Sequence, residues 1–284
     1  MPLASLIILA GLILSVGWLF PSRLLAWGSC VLGVVAAHWI TLDETPLFRM
    51  LALVAILLFG MKSIVYAEYR LRGKPAVPWY YFLLFALFWL GMRPSTFVRR
   101  AGGPLPRWQS SAAIGGLCLA AGLATLFAAR GHAILGMVGL SLTLHFGLMR
   151  CSTALFRLVG FPAYPLFLNP LRTRSLGEFW NRRWNLGYVE MTASCVYRPL
   201  KRFGDRTATI GAFLFSGILH EIAISLPVQA GYGLPTLYFL LQGMLVSATE
   251  VRGPLPALLC VAIPTPILFH PQFIEHVILP ILPV

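Results

Sequence analysis

Charge is scarce in this chain. Only 11% of its 284 residues are Asp, Glu, Lys or Arg, against about 25% in ordinary soluble proteins. Acidic residues are scarcer still, 9 against 22 Lys and Arg, leaving a net charge of +13. With 58% hydrophobic residues and a mean hydropathy of +0.80, this shortage excludes a soluble enzyme, a disordered tail and a coiled coil. The class that remains is an all-α, polytopic integral membrane protein.

Other absences narrow the chemistry. The five cysteines (Cys30, Cys118, Cys151, Cys195, Cys260) form no CxxC and no Cys/His cluster. A disulfide framework and a zinc site are therefore not expected, and the thiols read as small hydrophobes in helix packing. No HExxH, GxGxxG or Walker pattern occurs, so metalloprotease and nucleotide-binding readings have no support. No internal repeat is visible, which counts against many secondary transporters. The N-terminus lacks a basic n-region and reads as a retained first helix.

What is present is a series of apolar runs at 3–20, 24–41, 46–66, 77–91, 111–129, 133–149, 208–226, 233–249 and 254–269. A spanning helix needs about 20 apolar residues, so 77–91 is short. Smaller apolar pieces at 152–168, 186–197 and 272–284 read as interfacial or half-membrane elements. Arg99, Arg100 and Arg107 form one basic loop, and Arg172, Arg174, Arg182 and Arg183 another. Two spans separate these loops, so both face the same side, the cytosol by the positive-inside rule. Asp43 and Glu44 then mark an outside loop. Arg70, Arg72 and Lys74 also belong inside, which makes 77–91 re-entrant.

Two clusters could carry chemistry. His220 and Glu221 lie well inside the 208–226 run, and an ionisable pair inside a span points to function. Helical spacing places Ala212, Ser216, Gly217, His220 and Ala223 on one stripe, leaving a slot beside the imidazole. The ordinary alternative, at even odds, is close helix packing with His220 as hydrogen-bonding glue. Glu221 falls off the stripe and reads as structural, paired with a basic residue or a backbone group. The second cluster is SLGEFWNRRWNLG at 175–187, inside a 172–206 segment that holds eight of the basic residues. Phe179, Trp180 and Trp184 suit a membrane interface, and Arg182 and Arg183 suit phosphates. An amphipathic interfacial helix is the plain alternative; the position between membrane helices argues against nucleic acid. His38 and His132 sit near helix ends, His145 is a weaker candidate, and His270 and His276 fall in the tail.

NPLRTRSLGEFWNRRWNLGYVE, followed by SGILHEIAIS with His220 35 positions after Asn185, resembles the membrane-bound O-acyltransferase superfamily. Its wax synthase-like branch carries a similar FWxRRWN block, and WLGMRPSTF at 89–97 and LHFGLMR at 144–150 are similar to that branch as well. The resemblance covers roughly 80–250. Gln242 departs from it, standing where plant wax synthases are expected to carry His. With the HE pair, Gln242 looks more like the sterol and diacylglycerol acyltransferase branch.

The resemblance implies a helical bundle with re-entrant and interfacial helices around a membrane-buried tunnel. It forms a single membrane domain over 1–284: N-terminal helices to 75, an acyltransferase core at 80–250, a motif segment at 169–206 and a catalytic helix at 208–226. It also implies transfer of a fatty acyl group from acyl-CoA to the hydroxyl of a lipophilic, long-chain alcohol, giving a wax-type ester. His220 matches the superfamily histidine and Asn185 its polar partner. A neutral imidazole suits the base that takes the alcohol proton, and an amide can donate to the thioester carbonyl. Ser216 is the one local candidate for a covalent route, which is disfavoured.

Arg172, Arg174, Arg182, Arg183, Lys201 and Arg202 supply charge for coenzyme A. Phe179, Trp180, Trp184, Ser216 and Gln242 complete the expected substrate site. No permanently bound cofactor or metal is expected; acyl-CoA is the cosubstrate, and membrane lipids and the alcohol are the partners. Short loops favour a bacterial inner membrane over the endoplasmic reticulum. Competing readings are the same superfamily acting on a sterol, diacylglycerol or secondary-metabolite hydroxyl, an inactive scaffold, and a proton-coupled transporter with His220 as relay.

Overall fold

The computed structural model describes residues 2–248 and 250–283. Among them the regular structure is helical, and the one extended pairing is an isolated antiparallel bridge between Ser175 and Arg252. Three helices, α1 (Pro2–Leu19), α2 (Arg23–Ile40) and α3 (Pro46–Leu71), precede the short α4 (Trp79–Phe88). Then come α5 (Trp108–Ala129) and α6 (Ala133–Leu158). The motif segment folds as two short helices, α7 (176–183) and α8 (186–200). Finally α9 (Asp205–Val228), α10 (Leu234–Ala248) and the pair α11 (Pro254–Leu268) and α12 (Pro271–Ile281) follow. Six of these, α1, α2, α3, α5, α6 and α9, are long and apolar enough to cross a membrane.

The expected spans at 233–249 and 254–269 are shorter than full crossings. The α10 helix has 15 residues, about 22 Å at 1.5 Å per residue, against a hydrocarbon core of about 30 Å. Gly253, at φ 93°, and Pro254 fix the start of α11, and α12 turns away from it by 76° at Pro271. The piece at 152–168 divides: 152–158 completes α6 and the remainder is loop.

Small residues set the helix spacing, as membrane packing requires. A Cβ at Gly60 would lie 2.3 Å from Cys30 Sγ, and one at Gly17 2.2 Å from Ser63 Oγ. A Cβ at Gly217 would lie 2.7 Å from Thr236 Cα, so this glycine serves the α9–α10 contact and not the slot beside His220. All five cysteines are free, and Cys30 and Cys151 face such glycines.

Two buried cations on α3 fasten the ends of other helices; the sequence reading passed over both. Lys62 is fully buried and donates to the carbonyls of Trp89 and Gly91, each at 2.6 Å, while its Nζ lies 3.8 Å from the Phe85 ring centre. Those carbonyls close the C-terminal end of α4, where backbone acceptors lack helical partners and the dipole favours a cation. At about 15 Å, α4 reaches about halfway through a bilayer. Its flanks both return to α8, through Arg72 to the Ser194 carbonyl at 3.2 Å and through an Arg93–Glu190 ion pair. Both flanks of α4 thus meet α8 one turn apart. Arg49, at the other end of α3, donates to the Leu226 carbonyl at 3.1 Å and meets His38 Nδ1 at 3.3 Å. This ties the end of α9 to the side opposite the basic loops.

Replacing Lys62 by Met keeps the volume and leaves two buried carbonyls unpaired. Each such orphan costs about 1–3 kcal/mol, so a loss of about 2–6 kcal/mol is expected, read as a large fall in Tm in detergent. An unchanged Tm would show that α4 does not depend on this cation.

Candidate active site

A cavity of about 400 Å³ lies between α8 and α9, within the range of small-molecule sites. Helical periodicity builds both walls. From α8 and its cap come Asn185, Tyr188, Val189 and Thr192, spaced i, i+3, i+4, i+7. From α9 come Thr209, Ala212, Ser216 and His220, spaced i, i+3, i+7, i+11. Trp180 and Trp184 line it from the motif side and Phe239 of α10 from the third. His220 and Asn185, far apart in sequence, thus face one space. Of the small-residue stripe expected on α9, Ala212 and Ser216 do border it.

The protonation of His220 follows from its partner. Its Nδ1 lies 2.7 Å from the Ser216 carbonyl, which only accepts, so Nδ1 carries the proton. The neutral ring then presents a lone pair at Nε2, the atom that can take a proton from a substrate. Phe239 holds the ring, with centroids 4.2 Å apart. Asn185 is fixed by a similar argument. It sits in the left-handed region at φ 43°, a conformation Asn tolerates better than most residues, and its Oδ1 accepts from Tyr188 N at 3.2 Å. The carbonyl side of the amide is thereby the helix cap, and the NH₂ remains a donor at the cavity.

The other expected site residues divide by what holds them. Trp180 donates through Nε1 to Gln242 Oε1 at 3.1 Å, and Gln242 donates onward to the Cys260 carbonyl at 2.8 Å. Gln242 is fully buried and so orients the Trp180 wall from behind. Phe179 is also core, stacked on Trp184 at 5.4 Å. Arg183 pairs with Glu178 at 2.7 Å and donates to the carbonyls of Leu168 and Asn169. Arg174 bonds the same carboxylate through its backbone N at 2.7 Å and its Nε at 3.3 Å. The Arg174 amide and the Arg183 guanidinium hold the Glu178 carboxyl at about 2. Arg172 and Arg182 are exposed, and neither has a side-chain partner among the described residues. Glu221 accepts from Thr236 N at 3.0 Å and Oγ1 at 2.9 Å, the structural role expected of it.

Several contributors escaped the sequence reading. Tyr188, Thr192 and Phe239 line the cavity; the first two follow from the α8 stripe once 186–200 is read as a helix, whereas Phe239 arrives only through tertiary packing. Glu190 accepts from Tyr164 and pairs with Arg93, whose guanidinium lies 4.6 Å over the Tyr164 ring. That triad anchors the 89–97 loop to α8. Burial beside Glu190 pushes the Tyr164 phenol well up.

Fold and site together define a polytopic helical membrane protein that presents a neutral imidazole and an amide donor to a largely apolar cavity. The model of the membrane bound O-acyl transferase family matches residues 163–241, which contain both side chains. Long-chain-alcohol O-fatty-acyltransferase of Simmondsia chinensis is 34% identical over 73 residues, 22% of this chain and 21% of that protein. A protein named probable long-chain-alcohol O-fatty-acyltransferase 1 of Arabidopsis thaliana is 31% identical over 104 residues, 33% and 30% of the two chains. Acyl-CoA–sterol O-acyltransferase 1 of Arabidopsis thaliana is 35% identical over 66 residues, 20% and 19%. Over this stretch the chain is similar to the membrane bound O-acyl transferase family, and the likeness extends to relatives with long-chain-alcohol acyltransferase names. The matched stretches span 19% to 30% of these relatives' own length.

Proposed function

We propose that this protein transfers a fatty acyl group from acyl-CoA to the hydroxyl of a lipophilic, long-chain alcohol. The observation that carries this reading is the His220 ring, whose Nδ1 is committed to the Ser216 carbonyl while its other face borders the cavity shared with Asn185. In the proposed reaction the alcohol oxygen attacks the thioester carbon as its proton passes to His220 Nε2. The carbonyl electron pair moves to oxygen, beside the Asn185 NH₂. Collapse breaks the C–S bond, and the departing thiolate takes the proton from His220. No residue of the chain is acylated along this route.

The basic end of the molecule supports an anionic cosubstrate. Arg182 adjoins Asn181, which lines the cavity, and its guanidinium has no partner among the described residues, whereas Arg183 is held by Glu178. Arg182→Ala is therefore expected to raise the KM for palmitoyl-CoA about two- to fivefold, the size of an exposed ionic contact. Arg183→Ala should lower Tm and leave that KM within about twofold. Equal KM values in wild type and Arg182→Ala would remove Arg182 from the cosubstrate site.

A sterol acceptor is the second reading, favoured by the likeness to a sterol O-acyltransferase. The test is palmitoyl-CoA with a panel of fatty alcohols and sterols, the ester identified by mass spectrometry. A wax ester as the main product supports the first reading and a steryl ester the second. No ester with any acceptor would refute both.

A further inference from the structure

Tyr188 carries the one cavity-lining hydroxyl that is buried without a hydrogen-bond partner among the described residues. Such a group costs stability unless something pairs with it, and buried polar atoms in native proteins rarely stay alone. The hydroxyls of Ser216 and Thr192 lie close enough to interact with the phenol, though neither contact has the geometry of a closed hydrogen bond. Thr192 is already committed, donating to the Tyr188 carbonyl at 2.9 Å. The phenol, with no well-formed hydrogen bond of its own, can turn its proton to an acceptor in the cavity.

Its placement says for what. Asn185 caps α8 and Tyr188 is the residue whose backbone N it caps, so the two side chains lie three apart on one helical face. Both border the cavity opposite Ser216 and His220. An oxygen between these walls can meet the Asn185 NH₂ and the Tyr188 hydroxyl together while the carbon it is bonded to faces the alcohol poised at His220. Two donors converging on a developing oxyanion is the arrangement acyl transfer requires.

We infer that Tyr188 is a catalytic residue, its hydroxyl donating the second hydrogen bond to the thioester oxygen as that oxygen becomes negative. This rests on the acyl-transfer reading above. The phenol keeps its proton throughout: the C=O electron pair moves to the oxygen, the two donors hold it, and the pair returns when C–S breaks.

The test compares wild type with Tyr188→Phe in two arms. In the first, with palmitoyl-CoA and hexadecanol, kcat should fall about 10- to 100-fold, the effect of one lost hydrogen bond to a charge. KM for palmitoyl-CoA should stay within about twofold. Tm should not fall, because the change removes an unpartnered buried hydroxyl. In the second arm, without alcohol, the infrared stretch of carbonyl-labelled palmitoyl-CoA bound to the protein should move to higher frequency in the variant. An unchanged carbonyl frequency with unchanged kcat overturns the inference, as does an unchanged frequency with a lowered Tm, which would make Tyr188 a structural tie to Ser216. If wild type binds palmitoyl-CoA but esterifies no alcohol, the acyl-transfer reading fails while the carbonyl frequency still decides whether Tyr188 donates. No bound carbonyl signal in wild type overturns both.

Discussion

His220→Ala is expected to lower kcat by about 10²–10⁴-fold, the usual contribution of a positioned general base, with little change in the KM for acyl-CoA. The reasoning is local. The imidazole sits in a membrane-spanning helix where an ionisable side chain is costly, and one nitrogen is spent on the Ser216 carbonyl of its own helix. A packing histidine would find a second partner across the helix interface; this one turns its other face to a cavity. The variant should remain folded, because the bond it loses runs to a carbonyl one turn away and not to another helix. Steady-state kinetics on protein of matched Tm would check this. Activity within threefold of wild type would show that a different group takes the alcohol proton.

Asn185→Asp separates two roles that Asn185→Ala would confuse. Aspartate accepts from the Tyr188 amide as well as asparagine does and is an equally good cap, and it also tolerates the left-handed conformation. It cannot donate to an oxyanion, and it places a negative charge beside one. The expected result is a loss of about 10²–10³-fold in kcat, as for other oxyanion donors, with Tm close to wild type. Asn185→Ala should lose stability in addition, about 0.5–2 kcal/mol for the missing cap. An active Asn185→Asp enzyme would reduce Asn185 to a helix cap.

Much of this was legible in the chain because bilayer physics writes plainly. The six long spans follow from run length, and so does the shortness of α4. His220 stood out as an ionisable group inside a span, whereas its pairing with Asn185 came from the resemblance to the acyltransferase superfamily. What could not be read were the partners. Lys62 and Arg49 look like misplaced charges in an apolar run until the carbonyls of Trp89, Gly91 and Leu226 arrive from elsewhere in the chain. Gln242 and Phe179 carry motif-like positions yet are buried behind the cavity wall. Arg182 and Arg183 are adjacent and chemically identical; only the fold, by placing Glu178 against one of them, distinguishes a structural cation from one without a partner among the described residues.

The same distinction bears on the cavity itself. Its polar groups lie on two facing stripes, and only α9 was read as a helix from the sequence. The stretch 186–197 reads as a half-membrane fragment, so Tyr188 and Thr192 had no face to share with Asn185. Once α8 is a helix capped by Asn185, their common orientation is a matter of spacing.

The most direct test of the account is CoA-thiol release by the purified protein given palmitoyl-CoA, with and without hexadecanol. Acyl transfer at the His220–Asn185 cavity predicts release that depends on the alcohol, is accompanied by an equal amount of ester and disappears in His220→Ala. Alcohol-independent release, or none at all from folded wild-type protein, would contradict it.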